Sequence, residues 1–232
     1  MNTKIIHSFY LNVNKENMTQ SSKPKRRYNS TRRQAQANET RRQIIEAARK
    51  LFSIQGYSGA TIDSIAQEAG VSSETVYAIF GNKRTILSNL IDTSVGGDNL
   101  PIPLLQRAGP QTVLQENDPV RLLNLFAQDI SEILERIAPI FEITRIAAKT
   151  EPDIADMLKH MLAQRMQNLA AVTRRIGTLG SLREGLDDEQ ATDIIWVTTS
   201  PEVFSLLRID RGWTKEHYIH WLSDTLIRLL LP

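Results

Sequence analysis

The sequence predicts an all-α fold, with a three-helix domain near the amino terminus joined to a larger helical domain. After residue 37, apolar residues recur mostly at intervals of three and four, which is the spacing of one helix face. Pro119, Pro139 and Pro152 each stand at the start of such a segment, where a helix tolerates a proline. The chain has no cysteine, which excludes disulfides and thiolate metal sites.

Residues 1–37 are predicted to be a disordered basic arm. The first 42 residues carry ten Lys or Arg and two Glu, a net charge of +8, whereas the rest of the chain carries −6. The segment has little periodicity, and its run of cations disfavours a structured core. Its cations either lie in solvent or bind a polyanion by releasing counterions. The cations expected to bind are Lys25, Arg26, Arg27, Arg32 and Arg33.

A helix from about Asn38 to Gln55 is predicted next, followed by a helix-turn-helix. Thr61 can cap a short helix, Gly70 gives the backbone freedom that a tight turn needs, and Ser72 or Ser73 can cap a second helix. The second helix of such a motif can enter the major groove of DNA. The spacing therefore indicates a DNA-binding domain over residues 38–95.

A further helix is predicted to begin after Gly81, with Asn82 as its cap. Its first turn carries Lys83 and Arg84, although the helix dipole disfavours cations at that end. Two cations in this position favour a bound phosphate. The alternative is that both long side chains curl back into water.

Residues 38–90 resemble the DNA-binding domain of the tetracycline-repressor (TetR) family of bacterial regulators. The resemblance rests on A-A-R-K-L-F and on G-Y-S-G-A-T-I-D-S-I-A-Q-E-A-G-V-S-S-E-T-V-Y-A-I-F-G-N-K, which contain Gly56, Thr61, Ile65, Ala66, Gly70, Val71, Tyr77, Phe80 and Lys83. It implies an all-helical homodimer whose larger domain holds an effector pocket and the dimer interface. In such proteins a small molecule respaces the two DNA-binding domains and releases the operator, which makes repression the expected sign of control.

The resemblance also implies which residues contact DNA. Phosphate contacts are assigned to Thr61, Tyr77 and Lys83, and the start of the recognition helix to Ser72, Ser73, Glu74 and Thr75. Glu74 could accept a hydrogen bond from a cytosine amino group, or could simply interact with the helix dipole. Ala78 and Ile79 stand where the family often has aromatic or histidine residues, and Arg84 where an acid is common. We therefore expect the basic arm and Arg84 to supply part of the phosphate binding.

Residues 96–118 are interpreted as a linker, because they hold three prolines and three glycines. Residues 119–232 are predicted to form the larger domain. Its helices are expected to start at Pro119, Pro139 and Pro152, to run from Asp187 to about Leu207 with a kink at Pro201, and to start again after a Thr214 cap.

The larger domain supplies candidates for the effector pocket and the dimer interface. Pocket candidates, each of which could instead be ordinary core or surface, are Phe126, Phe141, Arg145, Met161 and Trp196. The last two helices are similar to those that pair between TetR-like subunits, with expected contacts at Ile195, Thr198, Tyr218, Trp221, Leu222, Thr225, Leu226 and Leu229. A monomer core could use the same apolar stripes, but reading a two-fold operator requires two copies.

Other classes of protein fit the sequence less well. The four histidines are dispersed, and His217 and His220, which share a helical face, have no carboxylate or thiolate set beside them. We therefore expect no enzyme, no metal and no cofactor. An architectural DNA-binding protein would not need the large acidic domain, whereas control by a protein partner stays open. No apolar run reaches the roughly 20 residues that cross a bilayer, so a cytoplasmic protein is expected.

Overall fold

The structure, a computed structural model, describes residues 28–98 and 100–232, and every element in these residues is helical. The predicted all-α class is confirmed. The helices are α1 (Tyr28–Gly59), α2 (Ile62–Ala69), α3 (Ser73–Phe80), α4 (Lys83–Gly96), α5 (Ala108–Gln115), α6 (Pro119–Ala147), α7 (Pro152–Thr178), α8 (Asp188–Thr198), α9 (Pro201–Ser205) and α10 (Lys215–Leu230). Within the same residues, none of these helices is long and apolar enough to cross a membrane.

The chain divides into two compact units, residues 1–38 and 39–232. Of the first unit, the structure describes only the start of α1. This helix begins at Tyr28, earlier than the predicted start at Asn38, so residues 28–37 are helical and not disordered. These residues include a run of Arg, Gln and Ala, which has high helix propensity but no apolar face. Apolar periodicity therefore does not predict this part of the helix.

The segment 96–118 is also more ordered than a linker, because it contains a 3₁₀ turn (Leu104–Gln106) and α5. Pro110 lies in the first turn of α5, where its missing N–H has no helical partner to lose. Val113 buries its side chain almost completely. A single buried residue does not form a repeating pattern, so the sequence does not predict this helix.

Proline positions in the larger domain differ from expectation in two places. Pro139 does not open a helix but lies inside α6, whose buried stripe continues unbroken past it through Ile140 and Phe141. Packing along this stripe outweighs the hydrogen bond lost at the proline. Pro201, in contrast, starts α9 after a break at Thr199 instead of kinking one long helix.

The helix-turn-helix part has a continuous apolar core. Phe52 on α1, Ile65 on α2, Val76 on α3 and Leu87 on α4 belong to one cluster of buried side chains and are fully buried. The four helices therefore share one apolar core. Burial of several such side chains at about 1.5–3 kcal/mol each fixes the angle between α2 and α3.

Four residues expected at a dimer interface lie instead in the core of the protomer. Ile195, Tyr218, Leu222 and Leu226 each have 0% of their surface exposed. The apolar stripe of α10 faces α6 and α8 of the same chain, so these side chains are not available to a second subunit. The sequence pattern identifies a buried helix face, but it does not say whether the same chain or a partner covers that face.

A Tyr218→Phe substitution is expected to raise the free energy of unfolding by about 1 kcal/mol, because a buried hydroxyl without a partner is costly. The Tyr218 hydroxyl is buried and has no hydrogen-bond partner among the described residues. Its ring packs edge-on against Phe204 at 5.0 Å, which phenylalanine preserves. Urea denaturation measures the change, with exposed Tyr77→Phe as the neutral control. A loss of stability would contradict the prediction.

Asp129 makes the stability of the larger domain depend on pH. Burial, with a smaller contribution from Glu132, raises the pKa of the Asp129 carboxyl from 3.8 to about 6. The folded state therefore binds this proton more tightly than the unfolded state. Stability is greatest below the unfolded pKa and is lost as pH rises towards the folded pKa.

An Asp129→Asn variant is expected to be more stable than the parent above pH 6, by about 1 kcal/mol after allowance for partial exposure. Its advantage should shrink as pH falls from about 6 to 4, because the parent carboxyl becomes neutral. Urea unfolding at pH 7.5 and pH 4.5 measures both differences, with the exposed Glu142→Gln on the same helix as control. The same advantage at both pH values would show that the carboxyl charge is not the cause.

Candidate nucleic-acid interface

The amino terminus of α2 is fixed by Thr61, as the sequence predicts. The Thr61 hydroxyl accepts a hydrogen bond from the Ser64 N–H at 3.0 Å, and the Ser64 hydroxyl accepts one from the Thr61 N–H at 3.0 Å. This reciprocal pair is a capping box. Thr61 is exposed, and its hydroxyl proton is free to donate to a phosphate at the positive end of the helix.

A tight turn connects α2 to α3. Gly70 has φ 69°, a left-handed conformation that side chains disfavour, and the Ser72 hydroxyl caps α3 by accepting from the Thr75 N–H at 3.2 Å. The Ser73 hydroxyl donates to Asp63 at 2.5 Å and so ties the two helices together. Ser73 therefore has a structural bond that the sequence did not reveal, whereas Ser72 is exposed.

The outer face of α3 is open to solvent. Val76 and Phe80 face the core, whereas Glu74, Tyr77 and Ala78 are exposed and Tyr77 exposes 54% of its surface. Hydrogen bonds from its own backbone N–H and from Ser72 lower the pKa of the Glu74 carboxyl. Its carboxylate thus interacts with the start of α3, as one of the two sequence interpretations expects.

Lys83 is not presented to solvent as a phosphate anchor. Its ammonium donates to the carbonyl oxygens of Tyr57 at 2.7 Å and Ala60 at 2.9 Å, and lies 4.3 Å from the centre of the Tyr57 ring. Partial burial lowers the pKa of the Lys83 ammonium. In this structure Lys83 joins α4 to the end of α1 and to Ala60, which follows α1.

Arg84 likewise has a partner within the protein. Its guanidinium contacts the Asp153 carboxylate, on the first turn of α7, at 2.8 Å. Both side chains are substantially exposed, so the pair adds little stability. The pair does place a polar contact between the start of α4 and the larger domain. No sequence motif predicts a contact between residues so far apart in the chain.

The basic arm is only partly visible. Arg32 and Arg33 are exposed side chains on the early part of α1. Lys25, Arg26 and Arg27 lie outside the described residues. Their predicted contact with DNA remains a prediction.

The predicted pocket residues do not converge on one cavity. Phe126 and Phe141 are buried in the core, Met161 and Trp196 are half-buried, and only Arg145 lines a surface groove. Sequence reasoning missed Arg165, whose guanidinium lies 4.0 Å from the centre of the Trp196 ring and donates to the Trp196 carbonyl at 2.8 Å. Burial lowers the pKa of the Arg165 guanidinium to about 10.

The helix-turn-helix matches a known family. The model of bacterial regulatory proteins of the tetR family covers residues 44–90. The transcriptional regulator HbdR of Aromatoleum sp. (strain CIB) is 52% identical over 59 residues, which are 24% of this chain and 26% of HbdR. The similarity thus spans about a quarter of the length of such curated relatives.

Solved structures share the fold over most of the chain. FadR from Bacillus subtilis, solved in complex with stearoyl-CoA, has a TM-score of 0.63 at 21% identity, covering 81% of this chain and 97% of FadR. NalD of Pseudomonas aeruginosa, the secondary repressor of the MexAB-OprM multidrug efflux pump, has a TM-score of 0.61 at 20% identity, covering 84% and 98%. Residues 44–90 therefore match the helix-turn-helix domain of the tetR family of bacterial regulatory proteins, and most of the chain shares the helical fold of these solved structures.

Proposed function

We propose that this protein is a homodimeric transcriptional repressor that binds a palindromic operator and is released by a small-molecule effector. The observation that carries the proposal is the outer face of α3. This helix is held by a capped turn at one end and by a buried face, while its other face presents Tyr77 and the Ser72 hydroxyl to solvent. A rigid helix with one polar, exposed face suits insertion into a major groove.

The role of each residue at the DNA interface depends on whether its hydrogen-bond donor is free. Thr61 caps α2 through an oxygen lone pair, so its hydroxyl proton can reach a phosphate. Tyr77 is a second exposed donor. The Ser72 hydroxyl caps α3 and donates to Glu74, so it reaches DNA only by changing that partner. Lys83 serves this interface indirectly, by holding α4 against the end of α1, and the basic arm supplies the positive charge that Lys83 does not.

Dimerisation is proposed through the remaining exposed faces of α8 and α10. Thr198, Trp221, Thr225 and Leu229 are half-buried, and neighbouring Val197 exposes 59% of its surface. Interfaces between helix pairs usually contain partly exposed apolar side chains from two adjacent helices. Sedimentation of the protein at micromolar concentration is expected to show a dimer, and a monomer alone would overturn this part of the proposal.

Release by an effector is supported by the link between the two domains. Arg84 at the start of α4 contacts Asp153 at the start of α7, so a shift of α7 reaches the helix that supports the recognition motif. The structural neighbour FadR binds stearoyl-CoA, and the neighbour NalD is a repressor. Both precedents favour a repressor that responds to a small molecule.

Selection of bound DNA from a random pool tests the proposal most directly. A palindrome with half-sites about one helical turn apart is expected, because a two-fold dimer places two recognition helices in successive major grooves. Equal affinity for random duplexes would show non-specific binding and would contradict a role as an operator-binding regulator.

A further inference from the structure

A surface groove lies between the end of α6 and the first half of α7. Its volume is about 410 Å³, within the range of small-molecule sites. It is lined by Arg145 of α6, by Ala148 and Lys149 in the turn that follows α6, and by Ala155, Leu158, Lys159 and Leu162 of α7. The four α7 residues recur at three- and four-residue intervals, so one face of α7 forms one wall.

The floor of the groove is apolar. Leu158 and Leu162 are half-buried and line it, whereas Met157 and Met161 on the same helix turn towards the core. The two leucines therefore present apolar surface to solvent. An apolar chain laid along the groove would remove this surface from water at about 25 cal/mol per Å².

The rim of the groove is cationic. Arg145, Lys149 and Lys159 line it, and no acidic residue does so. Arg145 is paired with Glu202 at 2.8 Å. Neither lysine has an acidic partner within 4.0 Å among the described residues, although the domain as a whole is acidic. Two unpaired ammonium groups over an apolar floor complement a ligand with a chain and a negative end.

We propose that the groove binds an amphipathic anion, with its alkyl chain against Leu158 and Leu162 and its anionic end between Lys149 and Lys159. A neutral chain would gain only the apolar contact. A cationic chain would be repelled by both lysines. The groove thus selects ligands by their charge as well as by their apolar surface. This chemistry defines the class of effector for the regulator proposed above.

The groove is placed to affect the DNA-binding domain. Ala155 lines it and lies two residues after Asp153, the partner of Arg84 on α4. A ligand that separates α6 from the start of α7 would move Asp153 with that helix. This regulatory step rests on the proposed function, whereas binding in the groove does not.

Calorimetric titration with three ten-carbon probes tests the site without DNA. Decanoate is expected to bind about tenfold more tightly than decanol, and decyltrimethylammonium more weakly than decanol, because two partly exposed charges each contribute about 0.7 kcal/mol. The double variant Lys149→Gln/Lys159→Gln should bind decanoate only as tightly as the parent binds decanol. Leu158→Asn should weaken both decanoate and decanol.

A matched control uses exposed arginines outside the groove. Arg174→Gln/Arg183→Gln removes the same charge from the same domain and should leave decanoate binding unchanged. Equal binding of decanoate and decanol, or unchanged decanoate binding by the double lysine variant, would overturn the proposed site.

The regulatory step has a separate readout. Decanoate should release bound operator from the parent protein, and Asp153→Asn should bind decanoate normally but release operator less readily. Failure of the parent to bind any operator would refute the proposed function and leave the calorimetric result standing. Normal operator binding with no selective decanoate binding would refute the site alone.

Discussion

A Lys83→Met variant is expected to lose about 2 kcal/mol of folding free energy in the helix-turn-helix domain and, with it, most DNA binding at physiological temperature. Methionine keeps the length and apolar stem of the side chain but leaves the carbonyls of Tyr57 and Ala60 without their donor. It also removes the cation from the Tyr57 ring. A charged donor shared by two carbonyls costs more to remove than a neutral one.

Two measurements separate this structural role from a direct phosphate contact. Thermal unfolding monitored by circular dichroism should show a lower midpoint for Lys83→Met, and Lys83→Arg should restore only part of it, because a planar guanidinium does not fit two converging carbonyls. Arg84→Gln, one residue along, should leave the midpoint nearly unchanged, because its ion pair is exposed. An unaltered midpoint combined with weaker DNA binding would instead make Lys83 a phosphate ligand.

Local rules predicted most helix starts. Thr61, Ser72, Asn82, Asp118 and Thr214 each cap the helix that the sequence assigns to them, because a capping hydroxyl, amide or carboxylate acts on backbone groups two or three residues away. Such contacts lie within one turn and need no tertiary information. The same holds for the Gly70 turn.

Features decided by distant packing could not be predicted in this way. The continuity of α6 through Pro139 depends on what covers its stripe, and the burial of Tyr218 depends on α6 and α8 lying over α10. The candidate DNA-binding site shows the same difference between local and long-range contacts. Ser72 and Tyr77 lie on the predicted face, whereas the bonds of Lys83 and Arg84 join them to residues 26 and 69 positions away.

Neutralising the basic arm is expected to weaken operator binding by about 100-fold at 0.15 M salt. Each phosphate contact contributes about 0.9 to the slope of log affinity against log salt, which is about fivefold in affinity at that concentration. Lys25→Gln/Arg26→Gln/Arg27→Gln removes three such contacts if all three cations reach phosphate. These residues precede Tyr28, the first residue of α1.

The slope of log affinity against log salt distinguishes direct phosphate contacts from diffuse electrostatic attraction. Three lost contacts should make it shallower by about 2.7, whereas loss of diffuse positive charge would weaken binding with a much smaller change in slope. The matched control is Arg174→Gln/Arg183→Gln/Arg211→Gln, which removes the same charge from exposed positions of the larger domain. With Lys83 and Arg84 bonded within the protein and Ala78 unable to hold phosphate, the exposed face of α3 carries no cation of its own. An unchanged slope in the arm variant would therefore assign the phosphate contacts to exposed Arg32 and Arg33, or to Lys83 or Arg84 after release from its partner.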